Sequence, residues 1–261
     1  MIGQYRYMGS EKYYNSTICL LAKNENDYIN EWLSWHLNIN FDHIYIYDND
    51  SDISIRESIK HEYLDYCTII DWGNDKYKHD MQIEAYCNCL STFRYSAKWM
   101  AFIDADEFIR LIEDTDINTF LKRYEDYMGV YVEWLVYNAN GLINGDLTIP
   151  VRERFTQLVD YTKLHNIIGK SIVQTRKVTH MSAHFPSVPY INSTMVDSDY
   201  NKVDIRKGTY RCPLDKIVID HYFTKSYDEW VKKVNKGSCN ASFTRKMNDF
   251  FILNPDLKGE I

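Results

Sequence analysis

No stretch of this 261-residue chain holds about 18 consecutive apolar residues, so no membrane-spanning helix is encoded. The opening residues, Met1-Ile-Gly-Gln-Tyr-Arg-Tyr, lack the apolar core of a secretory leader. The expectation is a cytoplasmic protein that meets any membrane-bound substrate from the aqueous side, with peripheral membrane contact allowed. An excess of basic residues is missing too. Lys and Arg number 30 against 37 Asp and Glu, for a net charge of −7. That argues against nucleic acid as a partner, because its binders carry a basic footprint. Cysteine is sparse, with six residues at 19, 67, 87, 89, 212 and 239. Only Cys87-Asn-Cys89 is close-spaced, and no second Cys or His pair completes a zinc pattern. A reducing compartment suits this usage better than a secreted disulfide scaffold. Internal repeats, low-complexity tracts and clear linkers are also lacking, so residues 1–261 read as one domain.

What the chain does have is aromatic surface and a patterned first half. It carries 22 Tyr, 11 Phe and 6 Trp. Tyr and Trp offer flat apolar faces with a polar edge, suited to stacking on sugars or bases, although a compositional bias is the simpler explanation of the count. Ser16–Ala22, His43–Tyr47, Cys67–Ile70 and Trp99–Ile103 are short apolar runs that read as strands. Tyr28–Leu37, Ile53–Tyr63 and Met81–Tyr95 between them read as helices, the first with Ile29, Trp32, Leu33 and Leu37 on one face. Repeated βα units imply a mainly parallel sheet wrapped by helices. Ligands of such sheets sit beyond the carboxyl ends of the strands, where Asn24, Asp48, Asp71 and Asp104 all fall. The second half is less regular. Gly129–Tyr137 reads as a strand running into a turn at Asn138–Gly141, and residues 150–215 mix short strands with loops. Ile217–Ser226 reads as a strand leading into a helix that starts near Ser226 or Tyr227.

The most informative stretch is Trp99-Met-Ala-Phe-Ile-Asp104-Ala-Asp106-Glu107-Phe108. An apolar strand ends in two aspartates at i and i+2, with a third acid directly after. Alternation along an extended segment would put Asp104 and Asp106 on one side. Carboxylates that close repel unless a cation lies between them. Hard ions such as Mg²⁺ or Mn²⁺ take oxygen ligands and commonly share them with a substrate diphosphate. A solvated acidic strand end is the plainer alternative.

A resemblance becomes specific once these segments are set in order. The chain resembles glycosyltransferase family 92, a relative of family 2 with the GT-A fold. The matching stretches are Leu21-Ala-Lys23-Asn24-Glu25, Tyr28-Ile-Asn-Glu31-Trp32, His36, Ile46-Tyr47-Asp48-Asn49, Ser51-Asp52, Gln82, Tyr86 and Trp99–Phe108. Trp134, Gly141, Glu153-Arg154-Phe155, Lys170-Ser-Ile-Val173, His184, His221-Tyr222, Lys225-Ser226, Glu229 and Gly237 follow. Tyr137-Asn-Ala-Asn-Gly141 departs from the Phe-Gly-small-small-Gly turn common in the family, so the acceptor is not carried over.

The resemblance implies an α/β protein of GT-A (Rossmann-like) type, with a mixed, mainly parallel sheet flanked by helices. It implies transfer of a sugar with inversion from a nucleotide-sugar donor, commonly UDP-linked, to a glycan or glycolipid acceptor, a step suited to surface-glycan synthesis. Mn²⁺ or Mg²⁺ would be held by Asp104, Asp106 and His221, offsetting charge on the diphosphate. Lys23, Asn24, Glu25, Asp48, Gln82, Asp104 and Lys225 are the donor-side candidates. For Asp48 the alternative is a helix cap, and Lys225 is placed one helical turn beyond His221. Trp134 and His184 are the acceptor-side candidates. Asp106 and Glu153 are the catalytic candidates, with Glu153 as base and Asp197, Asp199 or Asp204 as alternatives. Residues of about 17–108 would form the nucleotide half and about 130–237 the acceptor half. Two other classes fit less well. A haloacid-dehalogenase-like phosphatase would want Thr or Val where Phe108 stands, and a non-catalytic sugar-binding protein would have no use for the retained acids, His221 and Lys225.

Overall fold

The computed structural model describes residues 12–73, 80–160, 168–189, 194–204, 210–238 and 244–261. The first half alternates β1 (Tyr14–Ala22), α1 (Ile29–Asn38), β2 (His43–Asp48), α2 (Ile55–Ser58), α3 (His61–Leu64), β3 (Cys67–Asp71), α4 (Met81–Phe93) and β4 (Ala97–Phe102). β5 (Glu107–Leu111), α5 (Ile117–Lys122), β6 (Gly129–Val136), α6 (Val151–Arg154) and β7 (Gly169–Gln174) follow. The chain continues through β8 (Val178–Met181), β9 (Pro186–Pro189), β10 (Met195–Val196), β11 (Ile217–His221), α7 (Tyr227–Lys236) and α8 (Phe250–Leu253).

One sheet in the order β3-β2-β1-β4-β7-β6-β11-β5 runs through these elements, and β10 adds to β6. β1 pairs in parallel with β2 and β4, and β2 with β3. β6 is parallel to β10 and β11, while β7 is antiparallel to both β4 and β6. This is the mixed, mainly parallel α/β sheet flanked by helices that the resemblance implies. Parallel strands place their carboxyl ends at one edge, and the register Ala22–Asp48–Asp71 shows three of them level. The core is two-sided. Ile18, Leu20, Ile44, Ile46 and Trp99 pack under α1, and Cys19, Tyr45, Tyr47, Met100 and Phe102 pack under α4. Each fully buried large apolar side chain contributes roughly 1.5–3 kcal/mol.

Residues 53–63 depart from the single helix expected of them. α2 and α3 are separate single turns, with Ile59 and Lys60 extended between them (ψ 127° and 142°). Asn30 of α1 explains the break: its Nδ2 donates to Ser58 O at 2.7 Å and its Oδ1 accepts from Lys60 N at 2.8 Å. A side chain has taken the backbone groups that would have continued the helix. α1 buries His36 as well as Ile29, Trp32 and Leu33, with Leu37 half-buried against the same core. Cys19, Cys67, Cys87, Cys89 and Cys212 are free thiols, and Cys239 lies outside the described residues. Among the described residues no helix is long and apolar enough to cross a membrane.

Candidate functional site

The loop from β4 to β5 carries the acids. The strand stops at Phe102, and residues 105 and 106 form a turn before β5 begins at Glu107. Strand alternation therefore does not govern Asp104 and Asp106, and the two carboxylates take different partners. α1 fixes the loop from behind: Trp32 Nε1 donates to Glu107 O at 2.8 Å and to Asp104 O at 3.1 Å. Asp104 N donates to Glu107 Oε2 at 2.9 Å.

Asp104 faces α4 and β7. Its Oδ1 accepts from Gln82 Nε2 at 2.5 Å and Tyr86 Oη at 3.1 Å, and its Oδ2 accepts from Lys170 Nζ at 2.9 Å. Lys170 is 1% exposed and Asp104 33%, so the cluster opens to solvent on the Asp104 side. Burial would lift the Asp104 carboxyl, but the Lys170 ammonium outweighs it and holds the group below its usual range.

Asp106 faces β11 and α7. Lys233 Nζ donates to its Oδ2 at 2.5 Å, and His221 Nε2 stands 3.6 Å from the same oxygen. Against the burial penalty, Lys233, His221 and Lys225 hold this carboxyl well below the usual carboxylate range. The antiparallel register of β5 and β11 sets His221 opposite Glu107. Burial, with Asp104 and Asp106 nearby, pushes Glu107 well above its usual range, and Lys170 offsets this only in part. Burial lowers His221, and pulls Lys233 down to about 8.

Ligand atoms of Asp106, Glu107 and His221 lie within 4.8 Å of one another, and all three residues are buried. Glu107 Oε1 and His221 Nδ1 are buried without a hydrogen-bond partner. Although Lys233 occupies Asp106 Oδ2 and Lys170 Nζ stands 3.7 Å from Glu107 Oε1, two carboxyl groups and an imidazole gathered this closely are the donor set of a hard divalent cation. Of the set implied by the resemblance, Asp106 and His221 fall in this cluster together with Glu107, while the turn at 105–106 directs Asp104 to Lys170, Gln82 and Tyr86.

The acceptor-side candidates adjoin the same cluster. Trp134 of β6 lies with its ring 4.3 Å from His221 and 5.3 Å from His184. His184 Nδ1 lies 3.1 Å from Gly169 O, so that nitrogen carries the proton, and burial with Lys170 nearby lowers the ring to about 4. Gly169 is required by the closeness of β6 and β7: a Cβ there would meet Val132 O at 1.9 Å.

The other candidates are placed variously. Asn24 takes a left-handed conformation (φ 52°) and exchanges hydrogen bonds with Asp52. Glu25 pairs with Lys236, which also donates to Lys23 O at 2.9 Å. Asp48, at the end of β2, accepts from Ile55 N at 2.9 Å, Ser54 Oγ at 3.3 Å and Ser51 N at 3.2 Å, holding the loop before α2, whose N-cap is Ser54. Lys225 sits in the irregular segment before α7 rather than in a helical turn, at φ 53°, with Nζ 3.5 Å from the centre of the Tyr28 ring. Glu153 is exposed on α6, whose inward positions are Val151 and Arg154, and no described contact joins it to the acids. Asp197 is committed to Asp199 N, the Asn201 backbone and side chain, and Tyr210; Asp199 pairs with Lys216.

Sequence reasoning gave no role to Lys170 or Lys233. A lysine inside the buried strand 169–174 is the signal that was available for Lys170. Lys233 has a weaker one, standing four residues after Glu229 on the same face of α7. Glu229 accepts from Arg154 at 2.7 and 3.2 Å and from Tyr28 at 2.6 Å, and closes a capping box with Ser226.

A model of glycosyltransferase family 92 matches residues 14–252. A glycosyltransferase family 92 protein of Oryza sativa subsp. japonica is 26% identical over 119 residues, 43% of this chain and 19% of that protein. Galactan beta-1,4-galactosyltransferase GALS2 of Arabidopsis thaliana is 30% identical over 124 residues, 44% of this chain and 24% of that protein. The matched stretches thus span about a fifth to a quarter of these relatives' lengths. Among solved structures, S. aureus TarS 1–349 overlays with a TM-score of 0.39 at 12% identity, covering 67% of this chain and 52% of that one. With nine-tenths of its length matched by the family model, the chain belongs to glycosyltransferase family 92.

Proposed function

We propose that this protein is a metal-dependent, inverting glycosyltransferase that moves a sugar from a nucleotide-sugar donor, UDP-linked, to a hydroxyl of a glycan or glycolipid. The observation that carries the reading is the buried Asp106–Glu107–His221 cluster at the carboxyl edge of the sheet, within a chain of this family. Asp106, Glu107 and His221 would hold Mn²⁺ or Mg²⁺. The cation would offset the charge that grows on the departing diphosphate.

The nucleoside end of the donor belongs along the ends of β1 and β2, beside Lys23, Asn24 and Glu25. Gln82 and Lys170 keep the Asp104 carboxylate ionised and oriented at the solvent-open side of the cluster. Lys225, leaning on Tyr28, adds positive charge toward Asp106. Trp134 offers a ring face and His184 a neutral imidazole on the acceptor side; residues of about 17–108 serve the donor and about 130–237 the acceptor, except that His221 and lysines of this later half fold back to the diphosphate. Glu153 stays the candidate for the base that takes the acceptor proton. The GALS2 similarity makes galactose the first sugar to try.

A thermal-shift screen of nucleotide sugars with Mn²⁺ tests the reading. A ligand at a hundred times its Kd stabilises the native state by about 2.7 kcal/mol. At least one UDP-sugar should raise the melting temperature by several degrees with Mn²⁺ and not in chelator. A flat response across the UDP-, GDP- and CMP-sugars would count against it.

A further inference from the structure

Asp106 already has a positive partner. Lys233 Nζ donates to Asp106 Oδ2 at 2.5 Å and to Phe223 O at 2.6 Å, and lies 4.3 Å from the centre of the Phe223 ring. The helix that carries it is firmly held. One turn earlier, Glu229 ties the same face of α7 to Arg154, Tyr28 and Ser226. One turn later, Lys236 reaches Glu25 and Lys23 O at the end of β1. The helix backbone is thus anchored across the strand ends, while the four-carbon lysine stem is long enough to re-aim its ammonium without moving that backbone. Yet Asp106 Oδ2 is also the oxygen nearest His221, in the cluster that fits a divalent cation. An ammonium at hydrogen-bond distance and a divalent cation cannot share that oxygen without strong repulsion in a buried site.

We propose that Lys233 is a donor-site residue: its ammonium holds the cation's place on Asp106 while the site is empty and turns to the donor diphosphate once the cation is bound. This rests on the donor reading above. It makes two effects run in opposite directions, which a purely structural lysine would not produce. Removing the charge relieves competition for the cation, and it deprives the diphosphate of a partner.

Lys233→Gln keeps an amide that can donate to Asp106 and to Phe223 O. Titration of Mn²⁺ alone should show binding about tenfold or more tighter than in the wild type. Titration of UDP at saturating Mn²⁺ should show binding about tenfold or more weaker. Lys233→Arg, which keeps the charge, should hold Mn²⁺ no tighter than the wild type. If Lys233→Gln does not fold, the wild type decides. Labelling of Lys233 by an amine reagent, read by mass spectrometry, should rise with Mn²⁺ and fall again when UDP is added. Mn²⁺ affinity unchanged in the folded variant, both affinities weakened together, or labelling indifferent to Mn²⁺ would each overturn the proposal. A wild type that binds Mn²⁺ but no nucleoside diphosphate would overturn the donor reading and this inference together. UDP binding equal in wild type and variant would overturn this inference alone.

Discussion

At the scale of single residues, the site depends on side chains whose charge state is set by neighbours rather than by residue type. Asp106 and Glu107 are adjacent in sequence, yet one is driven down by Lys233 and His221 while the other is driven up by burial. His36, a family-matching residue, shows the same control applied to stability. Trp32 O lies 2.8 Å from its Nδ1, so that nitrogen carries the proton, and its Nε2 accepts from Ile109 N at 3.2 Å. A second proton has no place to go, and burial lowers the ring to about 3. An unfolded histidine titrates near 6.5, so below that pH the unfolded chain binds protons the native state refuses. Stability from His36 is fully present above 6.5 and is lost as pH falls toward 3, at about 1.4 kcal/mol per pH unit. His43 and His184, each lowered to about 4 mainly by burial, add to the loss over the same direction of pH. Urea denaturation at pH 7 and pH 5 should therefore show a clear loss of stability at pH 5, smaller in a folded His43→Gln variant. A flat profile would contradict this assignment.

At the scale of elements, α7 is the organising piece. The ion pair of Arg154 and Glu229 is 3% exposed on both sides and joins α6 to the start of α7. Removing one partner of such a pair strands a buried charge, at a cost of about 3–5 kcal/mol. Arg154→Met should lower the denaturation free energy by that order, whereas Glu153→Gln next to it should leave stability within about 0.5 kcal/mol. Equal effects from the two would refute the inward and outward assignment on α6. Much of this level was legible in sequence. β1, β2, β3, β4, β6 and the β11–α7 unit all stand within a few residues of where periodicity puts them, because long apolar runs at strand length admit few alternatives. The break between α2 and α3 was not legible, because it depends on Asn30 reaching across from α1. The loop geometry at Asp104 and Asp106 was not either. The i, i+2 spacing signals shared orientation only while the strand continues, and here it stops at Phe102. The roles of Lys170 and Lys233 come from strand order and helix placement, 66 and 127 residues away in sequence from the acids they meet.

At the scale of the whole molecule, the sheet order explains why one rim gathers chemistry from both halves of the chain. β4 delivers the acids in the middle of the sheet. β7 inserts antiparallel beside it with Lys170, and the β5–β11 pair brings His221 back opposite Glu107. Within a net charge of −7, lysines 170, 233 and 236 at that rim are each paired with a carboxylate, Asp104, Asp106 and Glu25 in turn. The most direct test is chromatographic measurement of UDP released from UDP-sugars, beginning with UDP-galactose, by wild type and Asp106→Asn in Mn²⁺ and in chelator. Release by the wild type should need the metal and should fall by about a hundredfold or more in the folded variant. Release of equal rate in Asp106→Asn, or undiminished release in chelator, would contradict the metal-dependent reading.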